Sequence, residues 1–461
     1  MTATLKQSGI TSEAFEAFLN ARQEPDWLTA NRRAAWQVFQ DLPLPSRADE
    51  EWMRTDIRLF RLDKFQLPSF TTHRSPLTTQ QLPPALLAHN VALSGRTATI
   101  DSSHISLAPG GRGRGEGEST TTELDPKLSK QGVLFGSLDE LVRQHGDLIH
   151  KHLFCAVNLH ADKFAALHAA CWSGGTLLYV PKGVVIDEPL HTLTALSSTE
   201  GAVDFSHFLV ILEEGASATL LTETVGGADA GGKNSGLHCG AIELIVGPGA
   251  KLRYVNLQNW GTGVWHFAHQ RAIVGSAGQL QWTIGALGSR LAKVNQHVAL
   301  AGEDAHAQVN GVMFTEGKQH LSYHTLQHHQ APHCKSDLLY KGALQDQSRL
   351  VWRGMIKVDP GAQKTDGYQR NDNLMLSDHA RADSIPGLEI QADDVRCTHG
   401  STTGRVDDEM IFYAQTRGFT RKEATRMVVA GFFQQVFDRI TIDSVREALG
   451  EAIGRRIREY E

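Results

Sequence analysis

Cys397 and His399 are the residues of this sequence whose types and spacing most directly suggest chemistry. They lie two positions apart, in a run of β-branched and turn residues. On an extended strand, residues i and i+2 project from the same face. A thiolate and an imidazole are both ligands for iron, for zinc and for iron–sulfur clusters, so the pair could share one metal ion or cluster. The other interpretation is a buried cysteine beside a histidine that serves an internal hydrogen bond.

A second group of possible metal ligands lies in one short segment. Its members are His320, His324, His328, His329, His333 and Cys334. The four-residue spacing of the first three keeps them on one side of a helix or a strand. Imidazole and thiolate suit zinc, iron or copper. We favour the simpler interpretation, a polar strand edge with surface histidines, and keep metal binding as the alternative.

One stretch imitates a nucleotide-binding loop. Gly227, Gly232 and Lys233 have the spacing of a phosphate-binding loop, but Asn234 replaces the Ser or Thr that would hold magnesium. Strand-like segments lie on both sides, whereas a phosphate cradle requires a helix to begin directly after the loop. We therefore do not expect a nucleotide site here.

The composition narrows the class of protein. The 461 residues include 45 Lys and Arg against 51 Asp and Glu, for a net charge of −6. This balance argues against nucleic acid as the main partner, because phosphate recognition needs concentrated positive charge. No apolar run approaches the ~20 residues that span a bilayer. Early glutamates, Glu13 among them, interrupt any N-terminal signal peptide. We expect a soluble, cytoplasmic protein.

The cysteines agree with a reducing compartment. They are Cys155, Cys171, Cys239, Cys334 and Cys397. None forms a C-x-x-C motif, so neither a disulfide framework nor a self-contained four-cysteine site fits the spacing.

The pattern of the chain divides it into four regions. Residues 1–65 are predicted to be helical, and residues 66–174 to be a proline-punctuated linker followed by a mixed α/β segment. In residues 175–405, short strands follow Gly-Ala corners such as Gly215-Ala216 and Gly249-Ala250. Evenly spaced strands with small corner residues predict one continuous β-solenoid, with a β-sandwich as the alternative.

Residues 406–461 form a predicted C-terminal helical domain. Asp407 or Asp408 is placed to cap its first helix, which Gly418 ends. Thr420 with Glu423 predicts a capping box for the second helix, and Ser444 with Glu447 predicts another for the third.

Several segments together resemble one known family. The block SDHARADSIPGLEI at 377–390 is followed by DDVRCTHGSTTG at 393–404. Arg47 to Thr55, Tyr179 to Val184 and Ser336 to Gly342 also match the family in its order. These segments resemble the SufB/SufD family of the SUF iron–sulfur cluster assembly system, over residues 20 to the end. The resemblance implies a right-handed parallel β-helix core flanked by N- and C-terminal helical regions.

Within that family the sequence looks like the SufD branch. SufB-type members carry a functional acid directly after the histidine of this motif, whereas here that position is Gly400. The resemblance therefore implies a non-catalytic scaffold subunit and not an enzyme. Its expected partners are SufB in a heterodimer, or a second copy of itself in a homodimer, together with the SufC ATPase.

The resemblance also implies the roles of particular residues. His399 becomes the first candidate ligand and Cys397 the second, for an iron or iron–sulfur cluster held transiently with SufB; the isolated chain is expected to hold no cofactor. Because one Cys and one His cannot complete a tetrahedral site, the other ligands must come from another chain or from sulfide. The alternative function is a stand-alone metal-binding solenoid that uses the histidines of 320–334.

The aromatic content of the C-terminal helices exceeds what a small helical unit is expected to bury, which indicates a partner site, with packing of these rings against the solenoid as the alternative. The family resemblance implies that the partner docked there is the ATPase. A chain that ends near residue 405 should then keep its β core and lose ATPase binding. The predicted partner-interface residues are Phe412, Tyr413, Arg417, Gly418, Phe432 and Phe433.

Overall fold

The computed structural model describes residues 9–67, 93–100, 103–104, 123–226 and 235–457. Most of the proline-punctuated linker lies outside these ranges, and so does the segment that imitates a phosphate-binding loop. Within these ranges, no helix is both long and apolar enough to cross a membrane.

Two long sheets of mainly parallel strands form the body of the protein. Strands are numbered in chain order. Sheet A contains β1 (Gly95–Ile100), β2 (Ser103–His104), β3 (Glu123–Leu124), β6 (Leu190–Leu196), β9 (Ser217–Gly226), β11 (Lys251–Trp260), β13 (Gln279–Ala286), β15 (His306–Thr315), β17 (Lys335–Leu344), β19 (Asp366–Met375) and β21 (Arg396–Arg405). Sheet B contains β4 (Leu134–Ser137), β5 (Gly175–Val180), β7 (Val203–Asp204), β8 (His207–Leu212), β10 (Gly236–Val246), β12 (Val264–Val274), β14 (Leu291–Leu300), β16 (His320–His329), β18 (Arg349–Val358) and β20 (Arg381–Ile390).

The order of the strands identifies a β-solenoid. From β8 onward the chain alternates between the sheets, and each strand pairs in parallel with the strand two positions later. Each coil is one strand of sheet B followed by one strand of sheet A, and the coils stack in register, as Lys251 pairs with Gln279 and Gln279 with His306. The solenoid prediction is confirmed, and the sandwich alternative is wrong. β1 and β4, which precede residue 175, join the sheets and extend the stack beyond the predicted region.

The Gly-Ala corners have a steric cause. Gly215 and Gly249 have φ angles of +69° and +64°, a region that glycine enters without the penalty other residues meet. The alanines that follow, Ala216 and Ala250, are fully buried and point into the narrow corner of the solenoid. Only a small side chain fits there, so the sequence repeats the same pair at successive coils.

Helices of the N-terminal half cover the outer face of sheet B. They are α1 (Ser12–Asn20), α2 (Asp26–Asp41), α4 (Leu138–Gln144), α5 (Gly146–His152) and α6 (Lys163–Cys171); α3 (Pro126–Lys130) instead packs Leu128 against the interior core of the solenoid. Aromatic rings form much of this contact: Phe164 of α6 stacks on Phe267 of β12 with ring centroids 3.7 Å apart. A cluster of mainly apolar residues therefore joins the helices to the sheet.

Residues Asp49–Thr55, which we call the N-terminal strap, lie across sheet B. They include a short 3-10 helix, Glu50–Trp52. Thr55 Oγ1 donates a hydrogen bond of 2.9 Å to Ser322 of β16. Asp49 does not cap this helix through its side chain; its carboxylate instead accepts the Ser46 N–H at 2.7 Å.

The C-terminal helices are α7 (Asp408–Thr416), α8 (Arg421–Phe437) and α9 (Asp443–Arg456); α8 and α9 pack on the outer face of sheet A, and α7 packs on α8. Asp407 caps α7, and the capping box of Thr420 and Glu423 is present. The predicted box at Ser444 is wrong. Because α9 begins at Asp443, two residues earlier than predicted, Ser444 lies inside its first turn, and Ile442 at the N-cap position forms no side-chain cap.

Candidate functional site at the terminal coil

The last coil of the solenoid, formed by β20 and β21 and called the terminal coil here, is more open than the coils before it. β20 pairs only with β18, and β21 only with β19, within the part of the chain that the structure describes. Each strand therefore leaves one edge of its backbone unpaired. Leu388 and Ile390 of β20 are 37% and 40% exposed. In β18, one coil earlier, Trp352 and Ile356 are fully buried.

Cys397 and His399 both lie on this coil. They occupy β21 and point to the same side of the strand, as the spacing predicts. Cys397 is half-buried and packs against Ile356, and its sulfur lies 3.2 Å from where a Cβ on Gly367 would stand. His399 is exposed. The thiol therefore has one side in the apolar end of the core, and the imidazole lies at the open end.

The surroundings of Cys397 do not activate its thiol. Burial raises the pKa of the Cys397 thiol above its ordinary value, and the charge of Asp366 acts in the same direction. A thiolate ligand would require the opposite shift. Because a bound metal ion itself displaces the thiol proton, the group becomes a good ligand only when iron or a partner's positive charge arrives.

The ligand set of the terminal coil is incomplete. Among the residues that the structure describes, no group of three or more His, Cys, Asp or Glu side chains is arranged to hold a metal ion. Cys397 and His399 alone leave about half of a tetrahedral coordination sphere unfilled. The arrangement suits a site that a second chain completes.

The histidines of the 320–334 segment are mostly engaged within the chain. His324 Nδ1 lies 2.5 Å from a carboxylate oxygen of Glu51 in the strap, and His328 Nε2 lies 2.9 Å from Asp359. His329 is fully buried, and its Nε2 lies 2.8 Å from the Ser336 hydroxyl. Burial lowers the pKa of His329 to about 4, so the ring is neutral at pH 7.

The other members of this segment are separated from one another. His320 is largely buried near one end of β16, while His333 occupies the turn after it with φ +61°. The Cys334 thiol is buried, with its sulfur 3.2 Å from the carbonyl oxygen of Gly302. The segment thus consists of individual contacts to different neighbours. This geometry gives no support to the stand-alone metal-binding alternative.

Four of the predicted partner-interface residues lie at the exposed end of α7. Phe412 is 67% exposed and Tyr413 is 61% exposed. The guanidinium of Arg417 lies over the Tyr413 ring, 5.2 Å from its centroid. Gly418, with φ +94°, ends the helix in the left-handed conformation that glycine favours.

The other two interface residues have different environments. Phe433 is fully buried between α8 and sheet A, so a partner cannot reach it, and its assignment to the interface is wrong. Phe432 is half-buried, with the Lys341 ammonium 4.8 Å from its ring centroid. Successive helical residues point about 100° apart, and here the face toward the sheet takes Phe433.

Some exposed apolar residues of the C-terminal helices and of the terminal coil were not predicted from the sequence. Met410, Phe419 and Met427 extend the exposed apolar surface of α7 and α8, and their types alone gave no signal of exposure. Leu388 and Ile390 were also missed. Their alternation in β20 predicts that both side chains point into the solenoid. The sequence alone does not show that β20 belongs to the last coil of the described residues, where no further coil covers them.

The fold defines the class of the protein as a parallel β-solenoid with helices on its outer faces and an open terminal coil. Residues 194–432 match the family model "SUF system FeS cluster assembly, SufBD core domain". Residues 117–192 match the model "SufBD protein N-terminal region". The core match alone covers more than half of the chain, so the chain belongs to the SufB/SufD family of iron–sulfur cluster assembly proteins.

Known relatives span nearly the whole chain. An iron–sulfur cluster assembly SufBD family protein of Staphylococcus saprophyticus is 27% identical over 428 residues, which are 93% of this chain and 89% of the relative. A relative of the same description from Staphylococcus haemolyticus is also 27% identical with the same coverage. One from Staphylococcus aureus is 26% identical, again with 93% and 89% coverage.

Proposed function

We propose that the chain is the SufD-type, non-catalytic subunit of a SUF scaffold, which pairs with SufB, or with a second copy of itself, and binds the SufC ATPase. The observation that carries this proposal is the open terminal coil with its incomplete ligand pair. Gly400 supports the SufD assignment, because SufB-type members carry an acid at that position. On this proposal the chain supplies ligands and surfaces for cluster formation and iron entry, and no catalytic group.

The pairing proposal rests on the unpaired strand edges. An exposed edge ten residues long is a template for another chain, and proteins normally cover or interrupt such edges. Leu388 and Ile390 add apolar surface at the same place. A partner solenoid that docks end to end would cover these side chains. Its own residues would then lie beside Cys397 and His399 and complete the ligands of a transient iron or cluster.

The ATPase proposal rests on the exposed apolar surface of α7 and α8. Met410, Phe412 and Tyr413 of α7, Phe419 between the two helices and Met427 of α8 are all exposed. A patch of this kind on a small helical unit is typical of a partner site. Because these side chains are exposed with the helices in place, a partner can reach them without displacing the helices.

The structure suggests point variants for testing ATPase binding, in place of truncation after residue 405. α8 and α9 cover a set of apolar side chains on sheet A, among them Val312, Phe314 and Leu339. Removal of the helices would expose this surface and damage the β core, which contradicts the expectation that a truncated chain stays intact.

The test is anaerobic co-purification of the full chain with SufB and SufC. We expect Leu388→Asp with Ile390→Asp to lose SufB and retain SufC, and Phe412→Asp with Tyr413→Asp to lose SufC and retain SufB. Leu59→Asp, at an exposed leucine elsewhere, is the control and should retain both. Wild-type recovery of both partners by either double variant would disprove the corresponding surface.

A further inference from the structure

A cavity between one corner of the solenoid and the helices α7 and α8 has no role in the proposed function. Its volume is about 760 Å³. Its walls are the turns after β15, β17 and β19, the segment after β21, and the facing sides of the two helices. Pockets for small molecules have volumes of about 300–1,000 Å³, so this cavity has the size of a ligand site.

Two arginines of the cavity wall form ion pairs with aspartates of the same wall. Arg405 lies 2.6 Å from Asp378, and Arg421 lies 3.1 Å from Asp408. The remaining lining carboxylate, Asp346, accepts the Gly317 N–H at 2.7 Å. Arg405 and Arg421 neutralise Asp378 and Asp408, whereas the Gly317 N–H leaves the charge of Asp346 in place, so the lining carries four cationic side chains against three carboxylates.

Two lysines leave positive charge on opposite walls. Lys318 lies in the turn after β15, and Lys422 lies in the first turn of α8. No carboxylate of the described ranges forms an ion pair with either ammonium group. His379 lines the same cavity. A ligand that contacts both lysines would meet two ammonium groups in a lining of net positive charge, which favours an anionic group.

Part of the lining is apolar. Met375, Leu376, Val406 and Ile411 contribute to the walls between the two lysines. A small inorganic anion would leave this surface in contact with water. An organic body attached to the anionic group would cover it.

We propose that this cavity binds a phosphorylated small molecule, with Lys318 and Lys422 contacting its phosphate oxygens from opposite walls. Lysine binds phosphate as a compact point charge with three donors. The cavity is separate from Cys397 and His399, and the proposal does not depend on cluster assembly.

The experiment is calorimetric titration of the isolated full-length chain with ATP, with pyrophosphate, and with citrate as a polyanion without phosphate. We expect ATP and pyrophosphate to bind with dissociation constants of about 1 mM or tighter. Binding should weaken as salt rises, because both ammonium groups are partly exposed. ATP should bind more tightly than pyrophosphate, since its nucleoside covers the apolar wall. Citrate should bind at least tenfold more weakly than pyrophosphate.

The site variant is Lys318→Glu with Lys422→Glu, which should weaken ATP binding at least tenfold. The charge-matched control is Lys130→Glu with Lys251→Glu, at two exposed lysines outside the cavity, and it should bind as wild type does. Thermal unfolding will show whether each variant is folded; if the site variant is not, Lys318→Ala alone, in an exposed turn, should still weaken binding. If the two double variants bind ATP equally well, the ligand is an adventitious ion only. Citrate binding as tight as that of pyrophosphate would also overturn the proposal, and so would the absence of ATP and pyrophosphate binding up to about 10 mM.

Discussion

Two regions of this solenoid carry metal-binding residue types, and they differ in how the rest of the chain uses them. In the 320–334 segment, His324, His328 and His329 each have a partner within the chain. In the terminal coil, Cys397 has only partial apolar packing, and His399 is exposed. The segment richer in histidine is therefore the one less available to a metal ion.

The difference comes from the position of each strand in the stack. β16 lies between two neighbouring strands and beneath the strap, so its side chains meet partners on every side. Among the strands that the structure describes, β21 pairs with β19 alone. Ligand types in the middle of a solenoid are used for packing and hydrogen bonding, whereas the same types in an end coil stay available for another chain.

The largest expected effect is on the maturation of iron–sulfur enzymes, compared between substitutions in the terminal coil and in the 320–334 segment. We expect His399→Ala to reduce maturation of iron–sulfur enzymes at least tenfold in cells that depend on this complex, because a ligand of the shared site is lost. His324→Ala and His328→Ala should reduce it far less. The measurement is the activity of a reporter iron–sulfur enzyme, with protein levels compared by immunoblot. Normal maturation with His399→Ala, combined with failure of His328→Ala, would reverse the assignment.

The second expected effect concerns stability. His329→Ala should lower the free energy of unfolding by about 2–4 kcal/mol, because it leaves a cavity and removes the hydrogen bond to Ser336. Urea denaturation gives this value. The control is His399→Ala, which should change stability by less than about 0.5 kcal/mol since the side chain is exposed. A similar loss in both variants would show that the terminal coil is as tightly packed as the middle of the stack.

The third expected effect concerns the thiols. In the folded chain, Cys397 should react with iodoacetamide at least roughly tenfold faster than Cys334, because the Cys334 side chain is fully buried. Burial raises the pKa of the Cys397 thiol, so its rate should keep rising as the pH passes the ordinary range of a cysteine. Peptide mass spectrometry after timed labelling measures both rates, and labelling in urea should make them equal. Equal rates in the folded chain would contradict the difference in burial.

The smallest expected effect is the pH dependence of the contact between the strap and β16. The hydrogen bond with His324 lowers the pKa of Glu51 to about 2, from an ordinary value of 4.5. A carboxylate whose pKa is depressed by folding stabilises the fold above its unfolded pKa, and this contribution is lost as the pH falls from 4.5 through 2. Since the Glu51 side chain is 57% exposed, solvent screening limits the effect to about 1 kcal/mol.

Urea unfolding of wild type and Glu51→Gln at pH 6 and at pH 3 measures this contribution. The free energy of unfolding of the wild type should exceed that of Glu51→Gln at pH 6, and the difference between them should be smaller at pH 3. Glu303→Gln, at an exposed glutamate away from the strap, should show no such change. If the difference in the free energy of unfolding is the same at pH 6 and pH 3, the contact with His324 does not depend on the charge of Glu51.

The sequence was sufficient for the features that depend on neighbours along the chain. The Gly-Ala corners predicted the solenoid because each corner imposes its own backbone conformation, and Thr420 with Glu423 predicted a cap for the same reason. Burial of Phe433 could not be predicted, since its neighbour Phe432 has the same type and only the docking angle of α8 distinguishes them. The partner of His324 is also beyond local reasoning, because Glu51 is 273 residues away.

The N-terminal strap has a consequence for how the open end of the solenoid behaves. A stack in which each coil contacts only its neighbours can fray from its last coil inward, one coil at a time. The strap contacts four successive strands of sheet B: Glu51 lies 3.9 Å from Lys293 of β14, Thr55 bonds Ser322 of β16, Glu50 lies 2.5 Å from Arg353 of β18, and Arg54 lies 3.9 Å from Asp383 of β20. The strap therefore links these coils to one another. The amide protons of β18 and β20 should then exchange with solvent together, in one cooperative opening. The open end of the solenoid is thus held in shape by residues near the opposite end of the chain.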